Sequence, residues 1–347
     1  MDKSRIAFLD IAKGIGIITV VWAHAKGPYS SYIYQFHMPF FFLISGYLYN
    51  PNPSFGEFAK RKAKSLYFPF VFWNLMALCL KAATGMAHMS LRAFLKTAAT
   101  MVLAVEKDGQ FFGATWFLSA LFWVSILYKG LDCFWKKWRY RRACVTVVFL
   151  VGAVVGFCVD FPYMLSRNLV LGGFYAIGYW IRENQDRLKA FWRWELAVIF
   201  FGLFAVIGHN GHANMGSNDY SSPLGFVAGA LMASYAVLYC SGQLSQWKLH
   251  MAGKFRKLLC FLGKRSIDIV IWQFVAFRIV IALQLFIDQK PVTLSEILKY
   301  YPVYATNHGW WVSYTLVGIL GSILWGDILK TGKEVVSQCL GHHRTEG

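Results

Sequence analysis

Two histidines near the amino terminus have the residue type and spacing that acid–base chemistry requires. His24 ends a long apolar run that starts at residue 6, and His37 opens a second apolar run. The connection between the runs, residues 27–32, is short, so the two side chains should lie at a similar depth in a membrane. Imidazole titrates near neutral pH and can give or take a proton during a reaction. We therefore interpret His24 and His37 as a candidate proton relay.

The first apolar run also contains a carboxylate and a lysine, Asp10 and Lys13. An ionised side chain at membrane depth costs at least about 2.5 kcal/mol, so each needs a partner or a water-filled cavity. Three positions separate the two residues, which lets them pair on one helix face. Lys13 precedes His24 by eleven residues, which returns to nearly the same side of a helix about 16 Å further along. The alternative is an interfacial ion pair with His24 in the opposite interface; His37 at a matching depth favours a functional face.

The helices that position these residues must lie in a membrane. Of the 347 residues, 57% are hydrophobic and 15% are charged, whereas a soluble domain carries about 25% charged residues. Apolar runs that can cross a hydrocarbon core of about 30 Å recur along the chain, which excludes a soluble domain with one anchor. We predict an all-α, polytopic membrane bundle of about ten transmembrane helices that forms one domain, residues 1–347. The predicted spans are 6–26, 33–50, 67–84, 114–134, 143–159, 163–182, 194–208, 223–241, 266–287 and 310–330.

Basic residues determine the predicted orientation. The formal net charge is +18, but the cations form short clusters between apolar runs instead of the continuous stripe that binds nucleic acid. With the amino terminus inside, the cytoplasmic segments hold 24 lysines and arginines and the outer segments seven. Because basic loops stay in the cytoplasm, both termini are expected there. The seven cysteines show no C-x-x-C spacing, so neither a disulfide framework nor a metal site is expected.

Motifs in the first fifty residues resemble those of a known family. The pattern R-x4-D-x2-K-G-x5-V-V-x2-H is followed by F-H-M-P-F-F-F-x2-S-G-Y. Both motifs resemble acyltransferase family 3 membrane proteins, particularly the stand-alone branch of fucose 4-O-acetylase-like proteins. The matching residues are Arg5, Asp10, Lys13, Gly14, His24, Phe36, His37, Pro39, Phe40, Ser45, Gly46 and Tyr47. Weaker matches around Arg61, Trp116, Gly178 and Ser266 extend the resemblance over most of the chain.

The resemblance implies a membrane-bound O-acyltransferase that moves an acetyl group from acetyl-CoA to a hydroxyl of a cell-envelope or surface carbohydrate. His24 would be the general base, with His37 beside it. Four cations would hold the anionic nucleotide of the acyl-CoA co-substrate from the cytoplasm: Lys13, Arg61, Lys62 and Lys64. The implied partners are acyl-CoA, a carbohydrate or glycolipid acceptor and the lipid bilayer of a bacterial cell membrane. No permanently bound cofactor and no nucleic acid is expected, and a homodimer stays open.

Two positions depart from the family pattern. Gln273 stands where related proteins often have histidine, and because a carboxamide does not titrate, its contact there must be a hydrogen bond. Lys64 replaces the second arginine of an R-x-x-R pair; it keeps the charge but lacks the planar fork that suits phosphate. Supporting roles are assigned to Asp10, Ser45, Trp116 and Gln273.

A transporter or flippase for an envelope glycan, or for its lipid-linked precursor, is the alternative function. Ten helices with few intramembrane charges also describe many carriers. The distinguishing features are the helix face from Lys13 to His24 and the basic cluster from Arg61 to Lys64, since acyl transfer requires both and simple transport does not.

The orientation can be tested with reporter fusions. Reporters placed after residues 60, 140, 190 and 255 should be cytoplasmic, and reporters after residues 110, 215 and 295 should be external, because of the asymmetry in lysine and arginine. The measurement is the activity of a reporter enzyme that works on one side of the membrane only. Two or more reversed positions would rule out the ten-span topology.

Overall fold

The structure, a computed structural model, describes residues 3–86, 89–103, 105–216, 218–247 and 250–342. Its α-helices are α1 (Lys3–His24), α2 (Ser30–Tyr47), α3 (Phe55–Lys62), α4 (Phe68–Ala83), α5 (Leu91–Val102), α6 (Trp116–Phe134), α7 (Arg141–Cys158), α8 (Leu165–Glu183), α9 (Gln185–Leu188), α10 (Trp194–Asn210), α11 (Pro223–Gln246), α12 (His250–Lys264), α13 (Ser266–Ile287), α14 (Leu294–Lys299) and α15 (Trp310–His342). A π-helical segment, Ala63–Tyr67, joins α3 to α4. Strands β1 (Ala213–Asn214) and β2 (Asp219–Tyr220) pair antiparallel.

The first helix lies inside the bundle. α1 packs against α2, α11, α12, α13 and α15, and Ile11, Ile17 and Val21 are completely buried. Because other helices surround α1, its ionisable side chains face protein instead of lipid tails. This arrangement allows charged and titratable residues to occupy the middle of an apolar sequence.

Each of the ten predicted spans coincides with a helix. In the described part of the chain, seven segments have the length and hydropathy of a membrane span, and an eighth is added if the bent pair formed by 185–191 and 194–209 is one span. The chain is therefore a multi-pass helical membrane protein. The count of ten crossings and the cytoplasmic location of both termini stay predictions.

Two helices at predicted spans, α2 and α8, are less apolar than the seven segments that have the hydropathy of a membrane span. Their packing against each other permits this composition. Gly46 on α2 lies against the backbone carbonyl of Tyr175, and Gly178 on α8 lies against the backbone carbonyl of Leu43. A Cβ atom at either glycine would overlap the opposing carbonyl oxygen. Small residues allow membrane helices to approach this closely. Since each helix shields the other from lipid, both can carry polar residues that a lipid-facing helix could not.

Two amphipathic helices lie outside the predicted spans. α5 falls within the segment 85–113, where the sequence indicates a helix on the outer surface. α12 lies between the predicted spans 223–241 and 266–287, where the sequence predicts a short linker. Leu259 and Leu262 on α12 are buried where it packs against α1, whereas Lys254 and Lys257 are exposed. The spacing of its apolar residues is the helical one, so the sequence did contain a signal for α12.

Arg278, a cation within α13, holds together two loops at the end of the bundle where α1 ends. Its guanidinium donates to the backbone carbonyl of Gln110 at 2.6 Å, to that of Ile297 at 3.2 Å and to that of Tyr300. These carbonyls take the place of an acidic partner. The loop before α6 and the loop after α14 are therefore fixed over the same region.

The glycine contact between α2 and α8 can be tested by substitution. Gly178→Leu should lower the thermal midpoint of the detergent-solubilised protein by several degrees or prevent its accumulation, because overpacking a tight contact typically costs about 1–3 kcal/mol. Gly202→Leu on α10 is the matched control, since no atom lies within 4 Å of a Cβ built at that glycine. Equal thermal midpoints for the two variants would contradict the proposed role of the contact.

Candidate functional site

A cavity of about 300 Å³ lies where α1 ends and α6 begins, and both predicted histidines line it; we call it the histidine cavity. Side chains of α1, α2, α6 and α13 form its walls, and three connecting segments border it. Further lining residues are Val20, Tyr34, Met38, Lys107, Trp116, Phe117, Asn214, Val270, Phe274 and Tyr301. The sequence therefore placed the two histidines correctly relative to each other.

His24 is oriented by a hydrogen bond from a helix that is remote in sequence. Its Nδ1 lies 2.9 Å from Oε1 of Gln273, and the carboxamide nitrogen of Gln273 donates to the carbonyl of Val270 at 3.3 Å. A carbonyl oxygen can only accept, so Nδ1 of His24 carries the proton. The lone pair on Nε2 is then free to take a proton from a ligand in the cavity.

His37 is held by its own helix and is almost fully buried. Its Nδ1 donates to the backbone carbonyl of Ile33 at 2.7 Å, which leaves Nε2 as its unprotonated nitrogen. The ring centroids of His37 and His24 are 6.4 Å apart with the planes nearly perpendicular. The two imidazoles are therefore neighbours, and a proton relay between them requires a bridging group from a ligand or from water.

A tryptophan forms another part of the cavity wall and contacts an arginine that lies outside the cavity. Trp116 begins α6 and is buried, and the guanidinium carbon of Arg167 on α8 lies 4.9 Å from its ring centroid, within the range of a cation–π contact. Nη1 of Arg167 donates to the carbonyl of Gly216 at 2.8 Å. Sequence analysis assigned Trp116 a supporting role, and the structure places it beside the histidines.

Sequence reasoning did not assign several lining residues to the site. Tyr34 contacts His37 with ring centroids 5.4 Å apart, and Phe274 contacts His24 at 4.9 Å. Tyr301 packs on Phe274 from the other side at 5.1 Å. Tyr34 lies one turn before His37 on the same helix, so its spacing was a usable signal. Tyr301 comes from a loop whose position depends on the tertiary fold.

Lys107, in the loop before α6, is another lining residue without a motif in the sequence. Burial, and then the nearby guanidinium of Arg167, lower the pKa of the Lys107 ammonium. The two cations therefore share one region of the site even though 60 positions separate them in the chain.

The cations assigned to the donor lie elsewhere. Lys13 forms an ion pair with Asp10 at 2.7 Å, as their spacing suggested. Arg61 and Lys64 are exposed, and Nζ of Lys62 lies 5.6 Å from the ring centroid of Phe58. None of these four cations lines the histidine cavity. They and the histidines are thus separate groups along the bundle.

Ser45 lies outside the cavity, whereas the helix after the donor cluster packs against a helix that lines the cavity. Ser45 is half-buried on α2, about two turns beyond His37, and does not line the cavity. The donor cluster is connected to the site through α4, because Trp73 on α4 packs on Trp272 of α13 with centroids 4.5 Å apart. Trp272 immediately precedes Gln273, so α4, which follows α3 and the π-helical segment of the basic cluster, packs next to the partner of His24.

The chain is similar to two nodulation proteins. Nodulation protein NolL of Mesorhizobium japonicum is 26% identical over 275 residues, which are 73% of this chain and 68% of that protein. Nodulation protein NolL of Sinorhizobium fredii is 28% identical over 166 residues, which are 43% of each chain. No solved structure matches the chain significantly.

The match to a protein family covers nearly the whole chain. The sequence profile of the family described as "Acyltransferase domain" aligns with residues 6–326, a range that contains both histidines, Trp116 and Gln273. The chain therefore belongs to acyltransferase family 3.

Proposed function

We propose that this protein transfers an acetyl group from acetyl-CoA to a hydroxyl of a cell-envelope or surface carbohydrate. The observation that supports this reaction most directly is the hydrogen bond from His24 Nδ1 to Gln273 Oε1. It leaves the Nε2 lone pair of His24 available in a cavity of about 300 Å³. A sugar hydroxyl is a weak nucleophile at neutral pH and needs such a base.

The reaction follows from this orientation. The acceptor hydroxyl gives its proton to Nε2 of His24 while its oxygen attacks the thioester carbonyl of acetyl-CoA. The carbon–sulfur bond then breaks, and the coenzyme A sulfur takes the proton from His24, so the products are the acetate ester and the free thiol. While His24 is protonated, the carbonyl dipole of Gln273 stabilises the imidazolium through the same hydrogen bond. His37 holds a second proton-accepting nitrogen beside this centre.

Arg61, Lys62 and Lys64 are proposed to bind the phosphates of the donor. Two of them, Arg61 and Lys64, are exposed, so they can reach anionic groups without breaking an internal ion pair. Nine residues separate Lys64 from Trp73, about 14 Å of helix, and Trp73 contacts the helix of Gln273. That length is of the order of the pantetheine arm, so the thioester could reach His24 while the nucleotide stays at the basic cluster. The pairing with Asp10 makes Lys13 a weaker candidate for this role.

The predicted topology gives each substrate its own side of the membrane. Acetyl-CoA is made in the cytosol, where the basic cluster of Arg61, Lys62 and Lys64 is expected. The amino-terminal end of α1 is predicted to be cytoplasmic, and the histidine cavity lies at its other, carboxyl-terminal end. A carbohydrate or glycolipid acceptor would therefore approach from outside. Both relatives are bacterial nodulation proteins, which supports the cell membrane of a bacterium as the location.

His24 is expected to be the catalytic base. His24→Ala should lower kcat for glycan acetylation by about 10²- to 10⁴-fold, the usual effect of losing a general base. His37→Ala should cost less, because a neighbouring residue only assists the base. His209→Ala is the control, since His209 is an exposed histidine of α10 outside the cavity. The measurement is acetate transfer from labelled acetyl-CoA to envelope glycan, at matched protein levels.

The results distinguish three interpretations. Near-normal transfer by His24→Ala would make the assignment wrong, and an inactive His37→Ala beside it would move the base to α2. If both variants kept full activity and the purified protein did not turn over acetyl-CoA, transport of a glycan would explain the protein better.

The proposed binding of acetyl-CoA by the basic cluster is tested by measuring how the transfer rate depends on the acetyl-CoA concentration. Arg61→Ala and Lys64→Ala should each raise KM for acetyl-CoA several-fold and leave KM for the acceptor nearly unchanged, because they remove charges that face phosphate. Lys64→Arg should lower KM for acetyl-CoA, since the guanidinium fork binds phosphate in two places. Lys60→Ala removes an equal, exposed charge from the same helix and serves as the control. Equal effects on KM for acetyl-CoA at residues 60, 61 and 64 would mean that these charges attract the donor only through the general positive potential of the surface and form no specific phosphate site.

A further inference from the structure

Two cations, Lys107 and Arg167, lie in or next to the histidine cavity on the side of the connecting loops. Lys107 lines the cavity itself. Arg167 lines a smaller cavity of about 120 Å³, and Gly216 borders both spaces. Trp116 links the two regions, because it lines the histidine cavity and carries the Arg167 guanidinium 4.9 Å from its ring centroid. The two cations therefore lie in adjacent spaces, with Gly216 bordering both spaces and Trp116 standing between the histidine cavity and Arg167.

Neither cation has an acidic partner among the residues that the structure describes. Arg167 donates to the carbonyl of Gly216, and its buried Nε has no hydrogen-bond partner. Asp160 borders the smaller cavity but forms no ion pair with Arg167, whose other polar neighbour is the neutral Tyr220. Lys107 forms no ion pair within the described ranges either. The described structure thus places two positive charges near each other without a direct ion pair to either of them.

The two carboxylates next to Lys107 in the chain are directed to other groups. Asp108 pairs with Lys81 and accepts from the backbone N–H groups of Gln110 and Phe111 at 3.0 and 2.7 Å. Glu106 accepts from the hydroxyl of Thr100 at 2.8 Å. Burial and the Arg167 guanidinium lower the pKa of the Lys107 ammonium by more than these two carboxylates raise it, and their contacts hold both carboxylates on other groups.

Two partly buried like charges without a counterion destabilise the protein, because they repel each other and have lost part of their hydration. A bound anion offsets both costs. Other cations at this end have partners, as Arg278 does with three carbonyls. We propose that Lys107 and Arg167 bind an anionic group of the acceptor, a phosphate or a sugar carboxylate, while a hydroxyl of the same molecule reaches His24. The acceptor class is therefore an acidic or phosphate-linked saccharide. This inference rests on the proposed acetyl transfer for the hydroxyl, but the anion site itself does not.

Binding can be measured without catalysis. Purified protein in nanodiscs is titrated with three probes that share one hexose, namely glucose, glucose 1-phosphate and glucuronic acid, and affinities are read by ligand-detected NMR. At least one anionic probe should bind about tenfold more tightly than glucose, since hydrogen bonds between charged groups exceed neutral ones. A preference for glucose 1-phosphate would identify a phosphate-linked acceptor, and a preference for glucuronic acid would identify an acidic sugar.

Variants test the residues. Lys107→Gln and Arg167→Gln should each remove most of the anionic preference and leave glucose binding unchanged. Lys96→Gln is the matched control, because it removes an exposed cation of α5 on the same predicted side. Arg167 also supports the Gly216 loop, so two milder variants replace Arg167→Gln if it does not fold. Arg167→Lys keeps the charge, and Lys107→Gln breaks no contact in the described structure.

Three results would overturn the proposal. The first is equal affinity of the wild type for all three probes. The second is an unchanged anionic preference in both Lys107→Gln and Arg167→Gln, or in Lys107→Gln alone if Arg167→Gln does not fold. The third is a raised KM for acetyl-CoA hydrolysis in these variants, which would assign the cations to the donor. Failure of the proposed function gives a different result, in which the wild type neither transfers nor hydrolyses acetyl-CoA but keeps its preference for an anionic sugar.

Discussion

The hydrogen bond between His24 Nδ1 and Gln273 Oε1 joins two helices whose residues are 249 positions apart, and the arrangement of the histidine cavity depends on it. It fixes the tautomer of the imidazole and brings α13 against α1. α13 in turn carries Phe274, which packs on His24, and Arg278, which ties down the loops that border the cavity. A neutral carboxamide suits this position, because a second charge next to a buried imidazole would need further neutralisation in a medium of low dielectric constant.

The parts of the fold that follow from local sequence were predictable. Helical spans appear as apolar runs, and the Asp10–Lys13 pair and the two histidines follow from spacing within or between adjacent helices. α12 was missed because a helix of mixed polarity between two spans reads as a basic linker, although its apolar spacing was present. The number of crossings is harder to predict. Buried helices such as α2 and α8 pack closely around Gly46 and Gly178, and because they are shielded from lipid their hydropathy is lower than that of a lipid-facing span.

The parts of the site that come from loops were not predictable in the same way. Lys107 and Tyr301 have no periodicity that would direct them to a common point. Their loops are held at the cavity by tertiary contacts, namely those of Arg278 and, for the Lys107 loop, those of Asp108 with Asn74 and Lys81. Arg167 was recognisable as an unusual cation in an apolar run, but its position over Trp116 depends on the contact between α6 and α8. Gln273 lay between these cases: its departure from the family pattern indicated a hydrogen bond, and the structure supplied the partner.

The buried and half-buried cations divide according to what neutralises them, and this division separates structural from candidate binding residues. Lys13 and Lys81 have carboxylate partners, and Arg278 and Lys129 donate to backbone carbonyls. Both arrangements satisfy the charge within the protein and hold elements together. Lys107 in the histidine cavity and Arg167 next to it form neither an ion pair nor a full set of hydrogen bonds to carbonyls in the described structure, and Arg61 on α3 and Lys64 on the π-helical segment are exposed. Since a partly buried charge without an ion pair is stabilised when an anion arrives, Lys107 and Arg167 can gain more from an anionic ligand than the cations that already have partners.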